Sequence, residues 1–179
     1  YAPHAIFSDM NREECDKTIR GCYPLHSVTT FILPRLSERV AQNERTLFTF
    51  LSAKGVSTLP TFLEEYSDED FRVITPDVVF DYFEPLFRKE SYTNELHKNY
   101  LLTKAILEKL DENSLEAKII KALSLIYILE QFDKLKPTSD ELDGMYSLDY
   151  THEEIRCAID NLINKEYVIY LKVSNDYLR

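Results

Sequence analysis

Glycine occurs at only three of the 179 positions, Gly21, Gly55 and Gly144, and this scarcity restricts the chain more than any other feature. Tight hairpins need residues at positive φ, and phosphate-cradling loops need backbone that can approach a ligand closely; glycine supplies both. A hairpin-rich all-β fold and a glycine-built phosphate loop are therefore disfavoured. With 44% hydrophobic and 12% aromatic residues the chain can still bury a real core, so a globular, mainly α protein is expected.

The apolar spacing supports helices along most of the length. Residues 1–22 are polar, with room for one short helix, Asn11 to Arg20. From Leu25 to Val40, the residues Leu25, Val28, Ile32, Leu33, Leu36 and Val40 share one helical face. Pro34 falls inside that pattern and should kink it or mark a junction. A second helix is predicted from about Asn43 to Ala53, with Leu47, Phe48, Phe50 and Leu51 as its apolar side and Gly55 as its stop. "STLPTFLEEYSDEDFRVI" reads as a connector with an acidic turn, Ser67 to Asp70. Thr75-Pro76-Asp77 then starts a helix carrying Val78, Val79, Tyr82, Phe83 and Leu86, which Pro85 should bend or end.

Two longer helices are expected over Thr93–Leu110 and Ser114–Phe132, the second apolar nearly all round and so buried. Pro137 to Leu142 opens a short capped helix closed by Gly144. Thr151 and Glu154 form a capping box for a helix striped by Ile155, Ala158, Ile159, Leu162 and Ile163. "YVIYLKVSNDYLR" reads as a strand, a Ser174-Asn175-Asp176 turn and a returning strand. Helix, short helix, capped helix and hairpin in that order resemble a winged helix-turn-helix. The fold expected is a helical bundle followed by this unit and its small C-terminal β-hairpin.

Charge is unevenly spread. Residues 1–60 hold seven Lys/Arg against six Asp/Glu, residues 61–114 six against thirteen, and residues 115–179 eight against twelve. The acidic middle is one reason to divide the chain into a helical segment 1–56, an acidic helical connector 57–112 and a winged-helix-like unit 113–179. A net charge of −10 argues against nucleic-acid binding through a general basic surface. Cys15, Cys22 and Cys157 show no CxxC spacing, as expected of reduced thiols in a cytoplasmic protein. No apolar run approaches the roughly 18 residues that cross a bilayer, so no membrane partner is expected.

Catalytic motifs are missing: GxxxxGK[ST], GxGxxG, HExxH and GxSxG are all absent. His4, His26, His97 and His152 are scattered, with no ligand spacing. The acidic run Glu64, Glu65, Asp68, Glu69 and Asp70 lacks the glycine a calcium loop needs and reads as solvated. A self-contained enzyme is not expected.

The stretch "YPLHSVTTFILPRLSERVAQNERTLFTFLS", residues 23–52, resembles a segment of large bacterial P-loop ATPases of the AAA+/STAND type, several of them linked to phage-defence loci. There it belongs to the helical lid that follows the nucleotide-binding core. A winged helix after the lid, as in origin-recognition-type ATPases, extends the resemblance more weakly over 115–179, and 53–114 carry no motif. The resemblance implies a nucleotide-sensing role for Arg45, at the start of a lid helix where a guanidinium can fork onto the γ-phosphate. A cation there gains nothing from the helix dipole, so it needs some other reason to be present. Pairing with Glu44, Glu38 or a neighbouring helix is the plainer alternative. Arg35 and Arg39 are second candidates and His26 a weaker one.

It further implies that ATP and Mg2+ belong to a longer parent, none being held by this piece. The N-terminal ATPase core of the same polypeptide would then be the first partner. The start at Tyr1 and the end inside a hairpin fit a piece cut from such a protein. For the C-terminal unit, DNA and protein partners are both open, with Arg156, Asn161, Lys165 and Lys172 as candidate contacts. Its acidic balance, and Glu153 and Glu154 in the first helical turn, suit packing or protein docking better than phosphate. A purely structural helical scaffold is the third reading.

Overall fold

The computed structural model describes residues 4–41, 44–66, 71–90, 94–172 and 176–179. It is mainly helical with one small antiparallel sheet. A short 3-10 turn, Ala5–Phe7, precedes α1 (Arg12–Cys22), α2 (Ser27–Leu36), a π-type turn (Ser37–Ala41), α3 (Glu44–Ser52) and α4 (Leu59–Glu65). There follow α5 (Pro76–Phe87), α6 (Glu95–Leu107), α7 (Leu115–Leu129), α8 (Ser139–Tyr146) and α9 (His152–Asn164). The sheet pairs β1 (Tyr170–Leu171) with β2 (Tyr177–Leu178), Tyr170 opposite Leu178 and Leu171 opposite Tyr177. The expected Ser174-Asn175 turn lies outside the described residues.

Helix α7 is the centre of the packing, as its all-round apolar sequence requires. Ser114 caps it by accepting from the Ala117 N–H at 3.2 Å, and Glu130 ends it in the left-handed region at φ 56°. Helices α2, α5, α6 and α9 pack against it. Buried side chains from Val28 on α2 to Leu178 on β2 form one contiguous core. The polar groups α7 carries inward are all engaged. Lys121 pairs with Asp81 at 2.8 Å, and Ser124 meets Thr103 at 2.9 Å and Asn99 at 2.8 Å. Burial pushes the Asp81 carboxyl above its usual range, with Lys121 pulling the other way.

The face of α5 towards the core carries Val79, Phe80, Phe83 and Phe87, and the helix runs through exposed Pro85 to stop at Phe87. Thr75 occupies the N-cap position as expected, but its hydroxyl makes no capping bond; Pro76 follows at the first helical position, where a missing N–H costs no helical hydrogen bond. Beneath α5, buried Tyr146 of α8 shares its hydroxyl hydrogen between the Lys118 carbonyl at 2.9 Å and the Asp77 carboxylate at 3.2 Å. Burial beside that carboxylate pushes the Tyr146 phenol far up. Tyr146→Phe strips both acceptors of this donor while barely changing volume, so it is expected to cost about 1–3 kcal/mol in urea unfolding.

Four details differ from the sequence reading. Pro34 does not divide α2, which continues to Leu36 before loosening into the π-type turn. The supposed connector after Gly55 contains α4, with Pro60 in its first turn, where a missing N–H costs no helical hydrogen bond. On α3 the core-facing stripe is Leu47 and Phe50, while Phe48 is 62% exposed. Gly144 lies within α8 and does not close it.

The chain crosses back on itself at one further place. Leu25 and Ile74 form a parallel bridge, with the His26 N–H donating to the Ile74 carbonyl at 3.0 Å. The Thr29 hydroxyl donates to that same carbonyl at 2.8 Å, fixing the start of α2 beside the start of α5. Among the described residues no helix is long and apolar enough to cross a membrane.

Candidate functional site

The three arginines that the resemblance singles out do not share one environment. Arg35 lays its guanidinium over the Phe31 ring at 3.7 Å, and donates to the Phe31 carbonyl at 2.9 Å and to Gln131 Oε1 at 3.1 Å. Arg39 pairs with Glu130 at 2.8 Å and reaches the Leu129 carbonyl at 3.4 Å. Both cations therefore sit at the C-terminal end of α7, where unsatisfied carbonyls and the helix dipole favour positive charge.

Arg45 lies in the first turn of α3 with an exposed side chain, and it enters no ion pair among the described residues. Its carbonyl accepts the Thr49 hydroxyl at 2.8 Å, a purely local bond. The helix beneath it is firmly seated. Phe50 is fully buried and meets Tyr82 edge-on at 5.0 Å, and the Tyr82 hydroxyl donates to the Thr46 carbonyl at 2.9 Å. Phe48 stands three residues on from Arg45, so the two occupy one face of α3. Leu51 on α3, Val56 in the loop after it and Leu63 on α4 add further exposed apolar surface.

The DNA or partner candidates are also separated. Arg156 is exposed on α9 and is followed on that helix by exposed Asp160. Asn161 is half-buried and donates to Glu116 on α7 at 3.3 Å, so it is turned inward. Lys165 is exposed at the C-cap of α9, and Lys172 is exposed just past β1. Glu154 closes the capping box with Thr151, its carboxylate taking the Thr151 N–H at 2.8 Å. Those backbone bonds hold the Glu154 carboxyl below its usual range. Of the acidic run, Glu64 pairs with Lys54 and Asp68, Glu69 and Asp70 lie outside the described residues. Among the described residues no group of three or more His, Cys, Asp or Glu side chains is placed to hold a metal.

A second feature went unread in the sequence. Where α1, α2, α8 and the strand-like segment before α5 meet, a cavity of about 550 Å³ is lined by apolar side chains together with His4 and His26. His26 is the N-cap of α2, its Nδ1 accepting from the Val28 N–H at 3.2 Å. Burial, with the His4 charge adding to it and a bond to the Gly144 carbonyl opposing it, lowers the His26 pKa from 6.5 to about 4. It is therefore a neutral, structural imidazole. His4 packs edge-on to it at 5.5 Å and places its own Nδ1 2.6 Å from Glu141 Oε1. His4 and Glu141 are 137 residues apart, and no local pattern joins them.

No family model, curated protein or solved structure matches the chain.

Proposed function

We propose that the chain is the nucleotide-responsive C-terminal region of a P-loop ATPase, with Arg45 reading the γ-phosphate of ATP bound on a preceding core. ATP and Mg2+ would be held by that core, and Arg45 would bind, orient and report on the terminal phosphate. The observation that carries this reading is the contrast among the arginines. Arg35 and Arg39 are committed to the end of α7, whereas Arg45 is exposed on a well-anchored helix beside Phe48. A guanidinium next to exposed aromatic surface suits an edge where another body docks and brings an anion with it. A lid that gains this contact with ATP and loses it after hydrolysis acts as a two-state switch.

The unit from α7 to β2 reads best as a winged helix used for packing on its neighbours. Supporting this, the Leu178 N–H donates to the Pro137 carbonyl at 2.7 Å, so the returning strand is tied to the connection between α7 and α8. The Tyr127 hydroxyl of α7 also donates to the Leu178 carbonyl at 2.8 Å. Inward-turned Asn161 and acidic neighbours of Arg156 leave little for base or phosphate contact.

The test uses the polypeptide in which the ATPase core precedes this chain. Arg45→Ala is expected to lower ATP turnover about 10²-fold, the scale of removing one preorganised charge donor. Arg35→Ala and Arg39→Ala should each cost at most about 1 kcal/mol of stability and leave turnover nearly unchanged. Unchanged turnover in Arg45→Ala would overturn the proposal.

A further inference from the structure

From the way residues 4–22 are fastened we infer that this segment is a strap. It opens as one unit while the rest of the fold stays closed, and so bares the cavity that α1 helps to line. The inference is independent of the nucleotide reading. Two observations carry it, the burial of the segment and the placing of its attachments.

Burial comes first. Side chains that water does not reach fix the core helices, yet from Ala5 to Leu25 not one residue is buried. Phe7, Ile19 and Arg20 of the segment line the cavity of about 550 Å³ together with Val73, Gly144 and Leu148 of the body. Side chains that face a void lack the close contacts that stabilise a packed interior. The Asn11 and Glu14 capping box closes the start of α1, but a helix of 11 residues is marginal in water without a packed face. Helix α1 therefore unwinds when it lifts.

Attachment comes second. Buried His4 places Nδ1 2.6 Å from Glu141 Oε1, and half-buried Ile6, two residues on, packs against the core. Glu141 belongs to α8, which buried Leu142, Met145 and Tyr146 fix to the body. Lys134 donates to the Asp9 carboxylate and to the Ser8 hydroxyl at 3.3 Å, but Asp9 is largely exposed, and such pairs contribute little. At the other end the Ile74 N–H donates to the Pro24 carbonyl at 2.8 Å, which clamps the chain just before α5. The segment is thus clamped at Pro24 and held at His4 by one buried polar pair. Lifting returns both groups of that pair to water, where each finds new partners, so it resists opening only modestly.

Amide hydrogen exchange of the 179-residue chain, followed by NMR, tests this. The hydrogen-bonded amides of α1 are expected to exchange at least about a thousandfold faster than those of α7, because they need only the strap to open. His4→Phe keeps a ring and removes the bond, and should speed the α1 amides about tenfold or more. A helix that merely frays would not respond. Gly21→Ala should slow them about threefold, since alanine favours the helix and its methyl meets no other part of the fold within 4 Å. Ile126→Val, a mild loss inside α7, should speed α7 about fivefold and leave α1 as it was. The inference is overturned if α1 and α7 exchange at like rates, if His4→Phe or Gly21→Ala leaves α1 unchanged, or if Ile126→Val speeds both helices.

Discussion

Phe83→Ala is expected to remove about 3–5 kcal/mol of folding stability, the cost of emptying a large aromatic site in a packed core. Phe83 is fully buried on α5, with Tyr82 edge-on at 5.2 Å and Phe87 stacked at 6.4 Å. Phe83 belongs to the buried core that α5 shares with the central α7, and neither helix can move inward alone, because each also packs on α2. The cavity therefore stays largely open. Total stabilities of single domains are about 5–15 kcal/mol, so this one change should take a large share. Urea unfolding should show a lower midpoint with an unaltered slope. A loss below about 1 kcal/mol would mean that the α5–α7 seam is not where the fold is held.

Acidification should act through His26. Its folded pKa of about 4 lies below the ordinary 6.5, so the unfolded chain binds a proton more readily than the folded one. Stability is then full above pH 6.5 and falls as the pH drops towards 4, where the unfolded state is protonated and the folded imidazole resists it. A displacement of that size corresponds to about 3 kcal/mol between pH 7 and pH 4. His26→Asn tests the cause, because asparagine can also cap α2 but does not titrate. The variant should lose about 3 kcal/mol less than the unaltered chain over that interval in paired urea titrations. Equal losses would assign the acid sensitivity elsewhere.

Much of the fold was legible because it is local. The all-round apolar run of α7, the Thr151 capping box and the buried stripe of α2 follow from spacing and end chemistry alone. What escaped is what proline and distance conceal. Pro60 lies in a stretch read as a connector, yet at the first turn of α4 it costs no hydrogen bond. Phe48 belongs to the apolar count of α3 but stands a third of a turn away from Leu47, so it faces outward. The partners of Arg35 and Arg39 lie 96 and 91 positions along the chain, and only the folded α7 brings its C-terminal end to them. From the sequence His26 is a weak candidate for phosphate contact, and its capping role needs the ring geometry. The cavity depends on His4 and Glu141 meeting across nearly the whole sequence, which no periodicity encodes.

Nucleotide discrimination measures directly whether Arg45 senses the γ-phosphate. In a polypeptide that joins the proposed ATPase core to this chain, the ratio of ADP to ATP dissociation constants should be compared before and after Arg45→Ala, at fixed Mg2+ and salt. A charged hydrogen bond to the terminal phosphate predicts that the preference for ATP falls about tenfold or more, with ADP affinity nearly unchanged. A ratio that stays the same would contradict it.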